Sequence, residues 1–327
     1  MHIPDGFING VTSAGAGVVA AGGLTAALRQ AGARLKDRHI PLAGLVAAFV
    51  FVLQMLNFPV LPGMSGHLLG GALAAILMGP SVGIVVVSVV VIIQALLFAD
   101  GGVSALGLNV INMAVVTTLV GWFVFRAIRI PLRPTRRSVL VATFVAATVS
   151  VAASAGAFVL EYAMGGVGGI DISTVSLLMI GVHVLIGLGE AAITVGVVGA
   201  VLSTRPDLVY GAADLAGDAT RSTVSNRRFV GVAVVVAVAL LGLATIASAN
   251  PDGLEWVAAR VGLAGSAQES AVASSPVAGY EVTGSGAFGT VLAGALGLGV
   301  TFGVGYGLLR LFRRRSTTKP AVPRSAR

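Results

Sequence analysis

The feature that most restricts this chain is a recurrence: apolar runs of roughly bilayer length return nine times along its 327 residues. They cover about residues 10–30, 40–57, 68–79, 81–98, 108–126, 138–160, 176–202, 229–249 and 287–310. About 18–20 apolar residues in a helix cross a ~30 Å hydrocarbon core. Backbone amides in that core must pair within their own segment, so such runs become helices packed against one another. Only 10% of the residues are charged, against roughly 25% in a soluble domain. The expected fold class is therefore an all-α polytopic membrane protein. The third run is short for a crossing, and Gly79-Pro80 marks a break in it, because the residue before proline avoids the helical region.

Charge sets the expected topology. With the N-terminus outside and nine alternating segments, 20 of the 21 lysines and arginines fall on the inner side. They cluster at Arg29, Arg34, Lys36 and Arg38, at Arg126 to Arg137, at Arg205 to Arg228, and at Arg310 to Arg327, with only Arg260 outside. This is the positive-inside pattern, so the net charge of +8 is a topology signal and not a nucleic-acid footprint. The N-terminus, the loops 57–67, 99–107 and 161–175 and the stretch 250–286 then share the external side. Residues 206–228 are polar and read as a cytoplasmic linker between a membrane domain, 1–205, and a two-helix module, 229–312. The module's external stretch is rich in Ala, Ser and Gly and reads as partly flexible, and the basic tail 313–327 as disordered.

Chemistry concentrates at the start. A free Met1 amine, the amide nitrogen of His2 and its imidazole close two fused chelate rings around one ion. Three nearly coplanar nitrogens suit Ni(II), Co(II) or Cu(II) and suit Mg(II) or Ca(II) badly. The bulk of His2 disfavours removal of the initiator Met, and no signal peptide precedes it, so the amine is expected to be available. His67, one of only four histidines and on the same expected side, is the candidate fourth donor, in a loop shaped by Pro59, Pro62, Gly63 and Gly66. Asp5, Ser65, Asp100 and Asn109 are candidates to hold the ligands from behind. The alternative for Asp5 is a solvated loop carboxylate; for Asn109 and Asn112, helix caps or packing bonds. There is no cysteine, hence no disulfide and no thiolate ligand.

His183 and Glu190 lie seven residues apart inside the seventh run and share a helix face. A carboxylate there must face the bundle, either on a transport path or in a bond that locks helices together. Small-residue spacings in the first run (Ala14 to Gly23) permit close helix packing. Neither lysine stands in a Gly-Lys-Ser/Thr setting, so the chain carries no P-loop, and ATP-driven transport would need a separate ATPase.

Four stretches carry a resemblance: Met1-His-Ile-Pro-Asp-Gly6, Pro62 to Pro80 (PGMSGHLLGGALAAILMGP), Gln94-Ala-Leu-Leu-Phe-Ala-Asp-Gly-Gly102 with Asn109, and His183 to Glu190 (HVLIGLGE). Over residues 1–205 the chain resembles the CbiM/NikM family, the substrate-capture (S) components of energy-coupling-factor cobalt and nickel transporters. Pro251-Asp-Gly-Leu-Glu255 resembles the signature of the small N component, which makes the chain look like an MN fusion. The resemblance implies an S-component bundle of about seven helices plus the two-helix module. It implies Ni(II) or Co(II) as transported substrate, with nickel favoured, held by Met1, His2 and His67, and no cofactor of the chain's own. It implies a transmembrane coupling protein (T component) and a cytoplasmic ATPase (A component) as partners, in a prokaryotic inner membrane. Relatives often carry His where this chain has Asp100. The rival reading is a stand-alone secondary transporter or channel using His183 and Glu190. An intramembrane enzyme finds no HExxH, nucleophile elbow or paired carboxylates to support it.

Overall fold

A computed structural model of the protein describes residues 1–35, 39–215, 226–282 and 285–316. Lys36 and Arg38, linker residues 216–225 with Arg221, and residues 317–327 of the tail lie outside the described residues. Among the described residues, six helices are long and apolar enough to cross a membrane, with two shorter apolar ones beside them.

Helix α1 (Gly10–Arg34) starts where the Asn9 side chain accepts from Thr12 N at 2.9 Å, satisfying one orphan amide of the first turn. Its small-residue face meets α5 (Leu106–Asn109) so closely that a Cβ on Gly107 would stand 2.4 Å from Gly17 N. Close approach of this kind is what Gly and Ala permit in a membrane bundle. α5 runs through a π-helical stretch, Val110–Val116, into α6 (Thr117–Arg129), and the Thr117 hydroxyl donates to the Met113 carbonyl at 2.5 Å. The long pair α7 (Arg136–Gly165) and α8 (Ile172–Thr204) is N-capped by Thr135, in a capping box with Ser138, and by Asp171. Their outward faces carry exposed apolar side chains such as Leu160 and Leu177, as a lipid-facing surface requires.

The third apolar run departs from a simple helix. After α2 (Ile40–Met55) the chain forms a small antiparallel hairpin, β1 (Phe58–Leu61) with β2 (Met64–Gly66), where the sequence suggested only a turn-rich loop. Non-helical residues 67–70 lead into α3 (Gly71–Met78), which is buried along its whole length. Eight helical residues rise only about 12 Å, so the extended residues ahead of α3 complete the passage between the two ends of the bundle. Gly70, at φ 81°, turns the chain into the helix in a conformation that an L side chain resists. Pro80 then opens the central helix α4 (Pro80–Leu97), where a missing amide costs nothing.

The alternation of ends survives this irregularity. At one end Ser81 meets Gln30, Arg313 donates to the Leu35 carbonyl, Arg129 pairs with Asp214, and Tyr210 covers Gly79. The N-terminus, the hairpin and the loops before α5 and α8 gather at the other.

The C-terminal helices α9 (Asn226–Ala244) and α11 (Gly286–Ser316) flank α2. α11 lies so close to α2 that a Cβ on Gly297 would overlap the Phe51 ring, and one on Gly44 would press on Phe302. Between them stands α10 (Gly253–Val261), with Asp252 and Glu255 in a reciprocal capping box. The stretch 250–282, expected to be partly flexible, is folded against the membrane domain. It has no core of its own; Leu254, Val257, Ala258 and Leu263 are buried on its neighbours' outer surface.

Candidate metal centre

The first eight residues thread into the end of the bundle, leaving Met1 2% exposed and Ile3 fully buried. Polar groups from distant helices take over their backbone bonds. Asn109 clamps Ile3 from both sides: its Oδ1 accepts from Ile3 N at 2.7 Å and its Nδ2 donates to Ile3 O at 3.0 Å. Gly102 N also donates to Ile3 O, at 2.8 Å. Val167 N donates to Phe7 O at 3.0 Å, and the Ser154 hydroxyl reaches Met1 Sδ at 3.3 Å. A tight turn at Gly6, with φ 92°, brings Gln268 N to Asp5 O at 2.8 Å.

Two of the residues expected behind the ligands are placed differently. The Asp5 carboxylate is neither solvated nor bonded to a ligand group; it accepts from Ser104 N at 2.7 Å and Val103 N at 3.2 Å. It therefore fixes the loop before α5, because four-residue sequence spacing cannot tell a ligand's neighbour from a loop cap. Ser65 donates to the Asn250 carbonyl at 2.7 Å and ties the hairpin to the C-terminal module.

The three residues expected to bind the ion come together in space. The Met1 amine is in direct hydrogen-bond contact with His67 Nε2, and the His2 and His67 rings stack with centroids 5.1 Å apart. His67 Nδ1 faces the Leu68 carbonyl at 3.1 Å, so it carries the proton and leaves the Nε2 lone pair toward Met1. His2 Nε2 faces Gln94 Oε1 at 3.1 Å, and Nδ1, the atom that would close the chelate, faces a carboxylate oxygen of Asp100. Burial pushes the His2 imidazole down to about 4, against the pull of the Asp100 carboxylate. It is neutral at ordinary pH, as a ligand must be.

Two carboxylates stand against this cluster. Asp100 Oδ1 lies 3.1 Å from His2 Nδ1, and its other oxygen accepts from the Tyr280 hydroxyl at 2.5 Å. Burial and the Asp100 charge hold that phenol well above its ordinary range. Asp252, from the C-terminal module, was not among the residues that sequence reasoning selected. Its Oδ2 lies 2.6 Å from the Met1 amine and 3.4 Å from His67 Nε2. Burial alone would raise this carboxyl, but the positive amine beside it holds it well below the usual carboxylate range. A cavity of about 190 Å³ opens beside His2 and is lined by Asp5, Asp100, Asp252 and Glu255. The available signal was the acidic Pro-Asp-Gly-Leu-Glu motif in a segment assigned to the same side as Met1. Gln94 opens one of the resembling stretches but had no role assigned, and Tyr280 carried no signal.

His183 and Glu190 sit beneath the cluster. Glu190 is fully buried and accepts from Leu69 N at 2.6 Å and Gly70 N at 3.0 Å, anchoring the turn that follows His67. His183 Nδ1 donates to the Met179 carbonyl of its own helix at 2.8 Å. Asn112 donates to Glu161 at 2.7 Å, one step from the site.

A polytopic bundle with an amine and two imidazoles sealed under one end belongs to the class of membrane transport components for transition-metal ions. Residues 2–208 match the CbiM model, "Cobalt uptake substrate-specific transmembrane region", and 227–314 match the PDGLE domain. The chain belongs to the CbiM family: it is a multi-pass cobalt/nickel transport component of the membrane and not an enzyme. It is 34% identical over 316 residues to the "Putative fused nickel transport protein NikMN" of Archaeoglobus fulgidus, covering 96% of this chain and 99% of that one. The "Cobalt transport protein CbiM" of Geobacter sulfurreducens is 37% identical over 174 residues, 52% of this chain and 49% of its own. Among solved structures, a truncated transition metal transporter superposes with a TM-score of 0.55 at 28% identity, over 62% of this chain and 99% of that one.

Proposed function

We propose that the chain is the substrate-capturing subunit of an ATP-driven importer of Ni(II) or Co(II), with residues 1–205 as the capture domain. The ion is held by the Met1 amine, the His2 amide nitrogen and Nδ1, and His67 Nε2. The observation that carries this reading is the contact of Met1 N with His67 Nε2 beside the stacked His2 ring. Residues 66 apart in sequence meet there. Asn109, Gln94 and Glu190 hold those donors in place. The domain 1–205 is joined through the linker 206–228 to the module 229–312 and the tail 313–327. The N-terminus faces outside and the tail faces the cytoplasm, as the arginine distribution favours.

Without a P-loop, the chain takes its energy from partners, a transmembrane coupling protein and a cytoplasmic ATPase. Nickel is the favoured ion, since the relatives with a fused arrangement are named for nickel. Glu190 and His183 are engaged with the His67 turn and with their own helix, which favours capture over an independent ion path. The test is metal content and affinity of the purified protein with its natural N-terminus, beside His2→Ala and His67→Ala. About one Ni or Co per chain, lost in both variants, is the expected result; equal metal in all three would refute the site.

A further inference from the structure

The Asp252 carboxylate is placed as a metal ligand would be. For bonds of about 2.0–2.1 Å, two donors at right angles around one ion stand about 2.9 Å apart. Asp252 Oδ2 lies 2.6 Å from Met1 N and 3.4 Å from His67 Nε2, values that straddle that separation. An ion that touches both nitrogens therefore has this oxygen within bonding reach, and with four nitrogens filling a plane the fifth, axial position is the one open to it.

The carboxylate's two oxygens have separate work. Oδ1 accepts from Glu255 N at 2.9 Å and caps α10, while Glu255 Oε2 accepts from Asp252 N at 2.9 Å. Only Oδ2 faces the nitrogens. The turn that carries Asp252 is pinned to the hairpin that carries His67: Ser65 N donates to the Pro251 carbonyl at 2.9 Å, and Ser65 Oγ to Asn250 O. On its other side Gly253 packs so tightly on α8 that a Cβ would stand 2.5 Å from Ile186. Asp252 and His67 are thus held as one unit, although they come from opposite ends of the chain.

Charge points the same way. A divalent ion bound to an amine, a deprotonated amide and two neutral imidazoles leaves a net charge of +1 in a buried site. An uncompensated buried charge is costly unless a partner lies beside it. Asp252 supplies one negative charge where it is needed, and its Oδ2 pairs with the ammonium of Met1 at 2.6 Å.

We infer that Asp252 is an axial oxygen ligand of the captured ion, so that the complete site is built jointly by the membrane domain and the C-terminal module. This rests on the capture reading above. It gives the module a chemical role, converting a planar four-nitrogen site into a five-coordinate one.

Nickel reports the difference directly, because four planar nitrogens favour the diamagnetic square-planar ion and an axial oxygen makes it paramagnetic. The full-length protein with its natural N-terminus is loaded with Ni(II) alone and examined by X-ray absorption and magnetic susceptibility, beside Asp252→Asn and Asp252→Ser. Both substitutes keep an N-cap for α10. The expected result is five-coordinate, paramagnetic nickel in the wild type. The variants show the square-planar edge feature and affinity about 10–100-fold weaker. Square-planar nickel in the wild type, or unchanged spectra and affinity in both variants, overturns the assignment while the capture site stands. Failure of His2→Ala and His67→Ala to lose metal overturns both.

Discussion

Two segments at the same end of the molecule, residues 1–8 and 250–282, arrive at the site by different physics. The first is held strand-like by hydrogen bonds at single atoms, Asn109 to Ile3 and Asp5 to the loop at Ser104 among them, with backbone bonds from Gly102, Val167 and Gln268. The second adds apolar surface to its polar ties at Pro251 and Gly279: Leu254 and Val257 are buried on α8 and the hairpin, and Tyr280 stacks on Phe98 at 4.9 Å. Polar clamps fix atoms to within a hydrogen-bond length, which a chelating amine requires. Apolar docking fixes a surface with less demand on each atom, and in the capture reading it suits a cover that supplies one further group, Asp252.

The largest break in this comparison is expected from the first segment. One added residue before Met1, or acetylation of its amine, removes a donor and fills the buried end. Metal affinity should fall on the order of a hundredfold or more, while the helical circular dichroism stays unchanged. Titration calorimetry checks this, and full affinity in an extended protein would sink the chelate.

Acid should release the same segment. His2 titrates near 4 in place and near 6.5 when free, so the docked state disfavours its protonated form. Docking is at full strength above about pH 6.5 and weakens as pH falls toward 4, by roughly 3 kcal/mol in all. Hydrogen exchange of the Ile3 and Phe7 amides should accelerate over that window, more than exchange in 250–282; equal responses would contradict the assignment.

Glu190→Gln comes next. It leaves one of the Leu69 and Gly70 amides poorly paired in the bundle, at about 1–3 kcal/mol. Because those amides follow His67, metal affinity should drop about tenfold, with no change in metal bound at saturation. Asn109→Ala should act similarly through Ile3. The smallest effect is expected from Tyr280→Phe, which keeps the stack on Phe98 and loses the hydroxyl's bonds to Asp100 and Gln94. A cost of about 1 kcal/mol in thermal stability and a few-fold change in affinity would fit a surface-held cover. A loss as large as that from the N-terminal extension would show that the second segment is clamped like the first.

Much of this molecule was legible in its residues, because hydropathy and charge are one-dimensional properties. Apolar runs must become helices in lipid, and the arginine clusters put Met1 and His67 at one end. The fused-ring chemistry of a free Met1-His2 terminus needs no fold to be recognised. Tertiary structure decided what depends on approach between distant segments. That residues 67–70 cross partly without helix, that Glu190 holds the His67 turn, and that Asp252 stands 2.6 Å from an amine 251 positions away leave no periodic trace. Spacing along a chain tells which side chains share a face. Which face meets which neighbour is settled by packing volume, by buried amides that must find acceptors, and by a buried positive charge that must find a carboxylate.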